Sequence, residues 1–350
     1  MLYDNDIKLD FCDVLIVPKP SLISSRKEVN LFCNLSFNKA GFSLTNYVPV
    51  CASNMDGVGT LSMAEKLATR HMSTCLTKHL THQILLGNKP EFKKDDFIFG
   101  TLGMDDFSKD IVNECDLRKH FQIISLDVAN GYMKQFTDFV KKIRTRFPDI
   151  GIMAGNVVTS EGVKQIADAG ADIVKVGIGS GSVCTTRRVA GIGYPQLSTL
   201  IDCRQMADEC GVGLLSDGGC VHPGDISKAF AAGADIVMLG GMLAGHDEGA
   251  DDSAVIDDGE RRRFIFAGSS SSRALKSSKN ESKYRTSEGR VVIMEAKGGV
   301  DGALVHIEGG LRSACSYTNS AKLYELRTNA KFIRVNRQLN EYFENQTIGI

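Results

Sequence analysis

The stretch AGADIVKVGIG, residues 169–179, is nearly repeated as AGADIVMLGG, residues 232–241. Each copy reads as the end of a helix, a glycine turn and a short buried strand that stops at glycine. Two strand–helix units separate the copies. One supersecondary unit is being reused along the chain, and the fold follows from asking how many times.

Working outward, short apolar runs ending in Gly, Asp, Ser or Asn occur at YVPVCAS (47–53), MSTCLT (72–77), DFIFGTLG (96–103) and QIISLDVANG (122–131). They continue at IGIMAGNV (150–157), DIVKVGIG (172–179), VGLLSDGG (212–219) and DIVMLGG (235–241). Most gaps carry helical patterns, among them SMAEKLATR, MKQFTDFVKKIRTRF, SEGVKQIADAG and PGDISKAFAAG. Strands buried on both faces read as continuous apolar runs, and strands alternating with helices imply a parallel sheet. Eight strands in this alternation predict an α/β fold of the (β/α)8 TIM-barrel type; an open doubly wound sheet is the alternative. The expected organisation is a single barrel domain over residues 1–350.

The barrel reading makes a claim about position, because active sites of this fold sit at the C-terminal ends of the strands. Lys78 follows the second strand, Asp127 ends the fourth, GIGSGSVCTTRR (177–188) follows the sixth, Asp217 ends the seventh and Gly240 follows the eighth. These chemically rich loops therefore fall on one face.

Composition narrows the partners. With 41 Lys+Arg against 42 Asp+Glu, the net charge of −1 gives no footprint for nucleic acid or an anionic membrane. No apolar run approaches the roughly 18 residues that span a bilayer. The N-terminus MLYDNDIKLDFCDVLIVPKP has acids where a signal peptide has a basic region. A soluble, cytoplasmic protein with neither nucleic-acid nor membrane partners is expected. The ten cysteines form no CxxC pair, so most read as small buried hydrophobes in a reducing compartment.

Three constellations carry chemistry. The glycines after strands seven and eight let backbone N–H groups approach an anion, a common phosphate site of this fold, although glycine also serves tight turns. Asp217 ends an apolar strand where a carboxylate can accept ribose hydroxyls, or merely cap a turn. Cys184 lies in an open glycine loop beside Arg187 and Arg188, surroundings that favour the nucleophilic thiolate, with the Thr186 hydroxyl two residues on. The segment 245–290 is polar and rich in Ser, Asp and Arg, and reads as a mobile lid or flap.

These motifs together resemble the IMP dehydrogenase/GMP reductase family. The matching stretches are DFCDVLIVPKPS (10–21), SNMDGVGTLSMA (53–64), DVANGY (127–132), GNVVTSEG (155–162), GIGSGSVCTTR (177–187), GYPQLS (193–198), SDGG (216–219), MLGGMLAGHDE (238–248), YRTSEGR (284–290), GGLRSACSY (309–317) and FIRV (332–335). Three features are similar to the reductase branch. GYPQLS has the reductase form. No Arg-Tyr dipeptide occurs, whereas the dehydrogenase flap uses one to activate water. The second and third strands are joined too closely to admit the regulatory CBS-domain pair of typical dehydrogenases.

The resemblance implies reductive deamination of GMP to IMP by NADPH with release of ammonia, in a cytoplasmic homotetramer. It implies Cys184 as the nucleophile toward purine C2, with Thr186 and Glu288 relaying the proton to the departing amine. For GMP and IMP it implies Ser182, Asp217, Gly218, Gly219, Gly240, Gly241 and Gly268 as contacts. Ser269, Ser270, Arg285, Thr286, Ser287 and Gly289 join them. For the cofactor it implies Lys78, Asp127, Val128, Ala129, Ile178, Gly179, Tyr284 and Ser313, with Ser25 and Arg26 reaching a neighbouring subunit. For a monovalent cation, K+, it implies Gly179, Gly181 and the Cys184 carbonyl, with Arg187 closing the loop. One departure stands out: GSSSS (268–272) puts Ser269 where the reductase pattern has methionine near the purine and nicotinamide.

Overall fold

The computed structural model describes residues 5–89, 92, 94–108, 114–250, 255–257, 262–268 and 286–336. Each of the eight apolar runs contains one parallel strand. They are β1 (Val50–Ala52), β2 (Ser73–Cys75), β3 (Ile98–Leu102) and β4 (Ile123–Asp127), then β5 (Gly151–Val157), β6 (Ile173–Val176), β7 (Gly213–Asp217) and β8 (Ile236–Leu239). They form a closed barrel in chain order, with β8 returning to β1 through Val237↔Val50, Met238↔Cys51 and Leu239↔Ala52. Closure excludes the open-sheet alternative.

The repeat has a physical cause. Arg144, in helix Lys134–Arg146, donates to Gly170 O (2.9 Å) and to Asp172 Oδ2 (2.5 Å). Arg204, in helix Gln196–Cys210, donates to Gly233 O (3.0 Å) and to Asp235 Oδ2 (2.6 Å). Each aspartate also accepts the backbone N–H of the strand before it, Ile152 at 3.0 Å and Leu214 at 2.7 Å. The glycines sit at φ +114° and +110°, and a Cβ on either would lie 2.8 or 2.7 Å from the arginine stem. Thus Gly-Ala-Asp is one clamp used twice: glycine makes room for the arginine, and the aspartate neutralises it.

Helices flank the strands where their 3.6-residue patterns predict. Thr60, Thr77 and Thr159 cap the helices Leu61–Ala68, Lys78–Leu85 and Ser160–Asp168 by accepting the N–H of Met63, Leu80 and Gly162. Such caps are worth about 1 kcal/mol each. The N-terminal end of the barrel is plugged by the hairpin Cys33–Phe37 and Phe42–Tyr47. Its Phe37, Leu44 and Tyr47 pack with Cys51, Cys75, Phe99, Met153 and Leu215. The plug leaves the C-terminal end as the open face.

The polar segment departs from a plain loop. Val255–Asp257, Arg262–Ala267 and Val291–Glu295 form an antiparallel sheet. In RRFIFA, Phe264 and Phe266 are buried while Arg263 and Ile265 are only partly so, the period-two signature of a half-buried strand. All ten cysteines are free, and Cys51, Cys75, Cys203 and Cys315 are buried. No helix among the described residues is long and apolar enough to cross a membrane.

Candidate active site

The loop after β6 begins with Gly177 at φ +148°, where a Cβ would sit 2.1 Å from the Asp217 carbonyl. Only glycine lets the ends of β6 and β7 approach this closely. Gly218 (φ +93°) is equally confined: a Cβ there would meet Ser180 Oγ at 2.6 Å and Gly181 N at 3.0 Å. The two glycine loops are thereby pressed together, and Ser180 Oγ donates to Asp217 O at 3.0 Å.

Cys184 is partly exposed on this loop, its N–H bonded to Gly181 O at 3.0 Å. Its Sγ donates to Thr186 Oγ1 at 3.2 Å, and Thr186 Oγ1 donates to Glu288 Oε2 at 2.8 Å. Thiol, hydroxyl and carboxylate form one chain for a proton. The carboxylate comes from a segment 102 positions away in sequence. Backbone pairing brings it there: Thr185 N bonds Glu288 O, and Arg290 N bonds Val183 O, both at 2.8 Å, making Cys184 and Gly289 partners in an antiparallel bridge. Gly268 joins the same platform, its N–H donating to Arg290 O at 3.0 Å.

These segments line an open cleft. Ser53, Asn54, Met55, Asp127, Val128, Ala129, Asn156, Asp217, Gly218 and Gly268 complete its wall with the Cys184 loop. Of the residues anticipated from sequence, Cys184, Thr186, Glu288, Gly289, Ile178, Gly179, Gly181, Asp127, Val128, Ala129, Asp217, Gly218 and Gly268 meet in it.

Others stand apart from that wall. Ser182 and Gly241 adjoin each other, with Ser182 Oγ 2.9 Å from the Cβ position of Gly241. Gly240 borders Ser53 and Met55, while Gly219 packs on Gln196 and Phe11. Thr286 is exposed, and Ser287 Oγ bonds Gly289 O at 3.0 Å. Lys78 lies beside Asp127. Arg187 is held by Asp10 (2.8 Å) and by Tyr194 O (2.8 Å). Ser25 and Arg26 lie on an exposed turn and Ser313 on helix Asp301–Tyr317; none of the three lines the cleft. Ser269, Ser270, Tyr284 and Arg285 fall outside the described residues.

Of the charged floor of the site, sequence reasoning named Lys78, Asp127 and Asp217 but passed over Lys175 and Asn156. Lys175, 0% exposed, places Nζ 2.5 Å from Asp127 Oδ1 and 3.5 Å from Asp217 Oδ2. Lys78 Nζ lies 3.4 Å from Asp127 Oδ2 and donates to Asp127 O at 3.0 Å. Asn156 Nδ2 donates to Asp217 Oδ2 at 2.8 Å and to Gly177 O at 2.9 Å. Burial pushes the Asp127 carboxyl up, but Lys175 and Lys78 outweigh it and hold the group below the usual carboxylate range. Burial likewise pulls the Lys175 ammonium down, and Asp127 and Asp217 outweigh that, holding it above the ordinary lysine range. A signal for Lys175 was present. Where the repeat reads DIVKV in β6 it reads DIVML in β8, so Lys175 occupies the place of Met238.

In the loop expected to hold a cation, two of the three carbonyls are free of backbone donors among the described residues. Among the described residues no donor bonds the Gly179 or Cys184 carbonyl, whereas that of Gly181 accepts Cys184 N–H. Free carbonyl oxygens suit a hard cation.

Comparison with known sequences agrees with this geometry. The family profile described as IMP dehydrogenase / GMP reductase domain matches residues 102–341. GMP reductase 2 of Homo sapiens is 44% identical over 343 residues, covering 97% of this chain and 98% of its own. GMP reductase 1 of Homo sapiens is 44% identical over 344 residues, covering 97% and 99%. GMP reductase of Phytophthora infestans is 44% identical over 344 residues, covering 97% and 94%.

Proposed function

The chain belongs to the IMP dehydrogenase/GMP reductase family, and we propose that it catalyses the reductive deamination GMP + NADPH + H+ → IMP + NH3 + NADP+. The observation that carries this is the continuous chain Cys184 Sγ–Thr186 Oγ1–Glu288 Oε2.

Cys184 loses its proton along that chain and attacks purine C2, forming the S–C2 bond. Ammonia is a poor leaving group unless the amine is protonated, and the same hydroxyl–carboxylate pair returns the proton to it. The C2–N bond breaks and leaves a covalent thioimidate on Cys184. NADPH, when bound, supplies the hydride for C2. Cys184 then departs as thiolate with release of IMP. Asp217 orients the ribose through hydroxyl hydrogen bonds, and the small residues Ser182, Gly218, Gly219, Gly240 and Gly241 leave room for the phosphate. Gly268 and Gly289, with Thr286 and Ser287, bound the purine; Ser269, Ser270 and Arg285 belong to the same proposed set. Lys78, Asp127, Val128, Ala129, Ile178 and Tyr284 hold the cofactor. The Gly179, Gly181 and Cys184 carbonyls would hold K+, and Arg187, anchored on Asp10, would steady the loop. Ser313 belongs to the same proposed cofactor set, and by its family resemblance the chain forms a homotetramer in which Ser25 and Arg26 of one copy complete another's cofactor site. The compartment is the cytoplasm.

The test is ammonia release from GMP with NADPH, alongside mass spectrometry of the peptide holding Cys184. A purine adduct on that peptide, and loss of turnover with retained GMP binding in Cys184→Ala, are expected. Xanthosine monophosphate as the main product from IMP and NAD+ would move the chain to the dehydrogenase branch.

A further inference from the structure

We propose that Lys175 is a positioning residue whose single buried ammonium fixes Asp127 and Asp217 together, so that the nucleotide and the dinucleotide are bound by one shared charge cluster. The inference rests on the reading of Asp217 and Asp127 given above.

An ammonium in a barrel interior is costly to bury unless it is paired. Lys175 is fully buried and meets two carboxylates, at 2.5 and 3.5 Å. They belong to different strands, Asp127 to the end of β4 and Asp217 to the end of β7, with Lys175 reaching both from β6. Lys78 and Asn54 also reach Asp127 by side chain, and Asn156 reaches Asp217. Of these groups Lys175 is the one that pairs with both carboxylates. Both carboxylates line the cleft.

Packing alone does not call for a lysine. The equivalent place in the other copy of the repeat holds Met238, an unbranched side chain of similar length, 2% exposed. The barrel therefore accommodates an apolar side chain at this level. What lysine adds is charge, at the point where two anions face the site. Cys184 and Thr186 are not among its partners, so its removal acts on binding rather than on the proton chain.

The experiment is steady-state kinetics of Lys175→Met in the full-length enzyme, with thermal melting to establish the fold. The expected result is a rise of about tenfold or more in the KM of both GMP and NADPH, with kcat within about threefold of wild type, the pattern of lost uniform binding. The double variant Lys175→Met/Asp217→Asn should raise the GMP KM by less than the product of the single effects, because the two residues act as one unit. A folded Lys175→Met enzyme in which neither KM or only one moves, or in which kcat alone falls, overturns the proposal. Should the methionine variant not fold, Lys175→Arg decides: its longer guanidinium keeps the charge and displaces both carboxylates, so both KM values must still rise together, and a change in one or neither overturns it. Absence of GMP turnover by wild type would be a failure of the proposed activity instead. Calorimetric binding of GMP and of NADPH to wild type and variant would then carry the same comparison.

Discussion

Replacing Glu288 by glutamine separates proton transfer from everything else the residue does. Its backbone carbonyl accepts Thr185 N–H at 2.8 Å, and the neighbouring Arg290 N–H bonds Val183 O at 2.8 Å. Neither bond involves the side chain, so the segment stays docked on the Cys184 loop. Glutamine keeps the size and the acceptor oxygen that faces Thr186 Oγ1 at 2.8 Å. It cannot take up or give back a proton. General acid–base groups contribute about 10²–10⁴-fold, or roughly 3–5 kcal/mol of barrier. Weakening a hydrogen bond to a charged group accounts for only about 1.5–3 kcal/mol. Ammonia release in a single turnover should therefore fall by about 10²–10⁴-fold. The GMP dissociation constant should stay within about twofold, since no ribose or phosphate contact changes. Hydride transfer needs no leaving-group proton. From the covalent intermediate, once formed, it should therefore suffer less than ammonia release, a difference that single-turnover kinetics resolves. A Glu288→Gln enzyme releasing ammonia within about twofold of the wild-type rate would refute the relay and leave Lys78 as the next candidate partner of Thr186.

Two further outcomes follow from the geometry. Gly177→Ala forces a Cβ to within 2.1 Å of the Asp217 carbonyl at φ +148°; backbone strain and overpacking of about 1–3 kcal/mol each should lower the melting temperature and raise the GMP KM, and an unchanged KM would detach Asp217 from nucleotide binding. Asp127 is held below its ordinary range by Lys175 and Lys78 against the opposing effect of burial, so the unfolded chain binds its proton first, its contribution is complete above about pH 4, and it is lost as pH falls toward the folded value; chemical denaturation from pH 5 downward should show a slope up to about 1.4 kcal/mol per pH unit steeper in wild type than in Asp127→Asn, and equal slopes would refute the pairing.

The barrel was legible because its strands are buried on both faces and its turns repeat. Eight apolar runs became eight strands, and the AGAD repeat marked two identical arginine clamps, although the arginines themselves lie far upstream and carry no local signal. Cys184, Thr186 and Glu288 could be named from the motif, but their contact depends on a backbone bridge across 102 positions, which no local pattern encodes. The strand Arg262–Ala267 was passed over because its flanks are so polar that composition suggested a loop. Its alternation of Phe264 and Phe266 with less buried neighbours held the better evidence. Lys175 was missed for a related reason: inside an apolar run it read as one exception, when comparison of the two repeat copies marks it as the single charge inserted into a reused strand.

That insertion shows how the fold divides its work. The clamps formed by Arg144 with Asp172 and Arg204 with Asp235 lie at the N-terminal ends of β6 and β8, and each arginine comes from the helix before the neighbouring strand, β5 or β7. The cluster of Lys175, Asp127, Asp217 and Lys78 lies toward the C-terminal ends, and its partners come from β4, β6, β7 and the helix after β2. Each clamp thus joins two successive strands, β5 to β6 and β7 to β8. Pairing across several units cannot be local, so it ties strands together at the mouth where the cleft opens. The Cys184 loop sits above that tied floor, and the Glu288 carboxylate arrives from the flanking segment through backbone hydrogen bonds. The buried charge cluster and the Cys184–Thr186–Glu288 chain are thus carried by different elements. A change in the floor should alter what the cleft holds, and a change in Glu288 should alter what Cys184 can do to it.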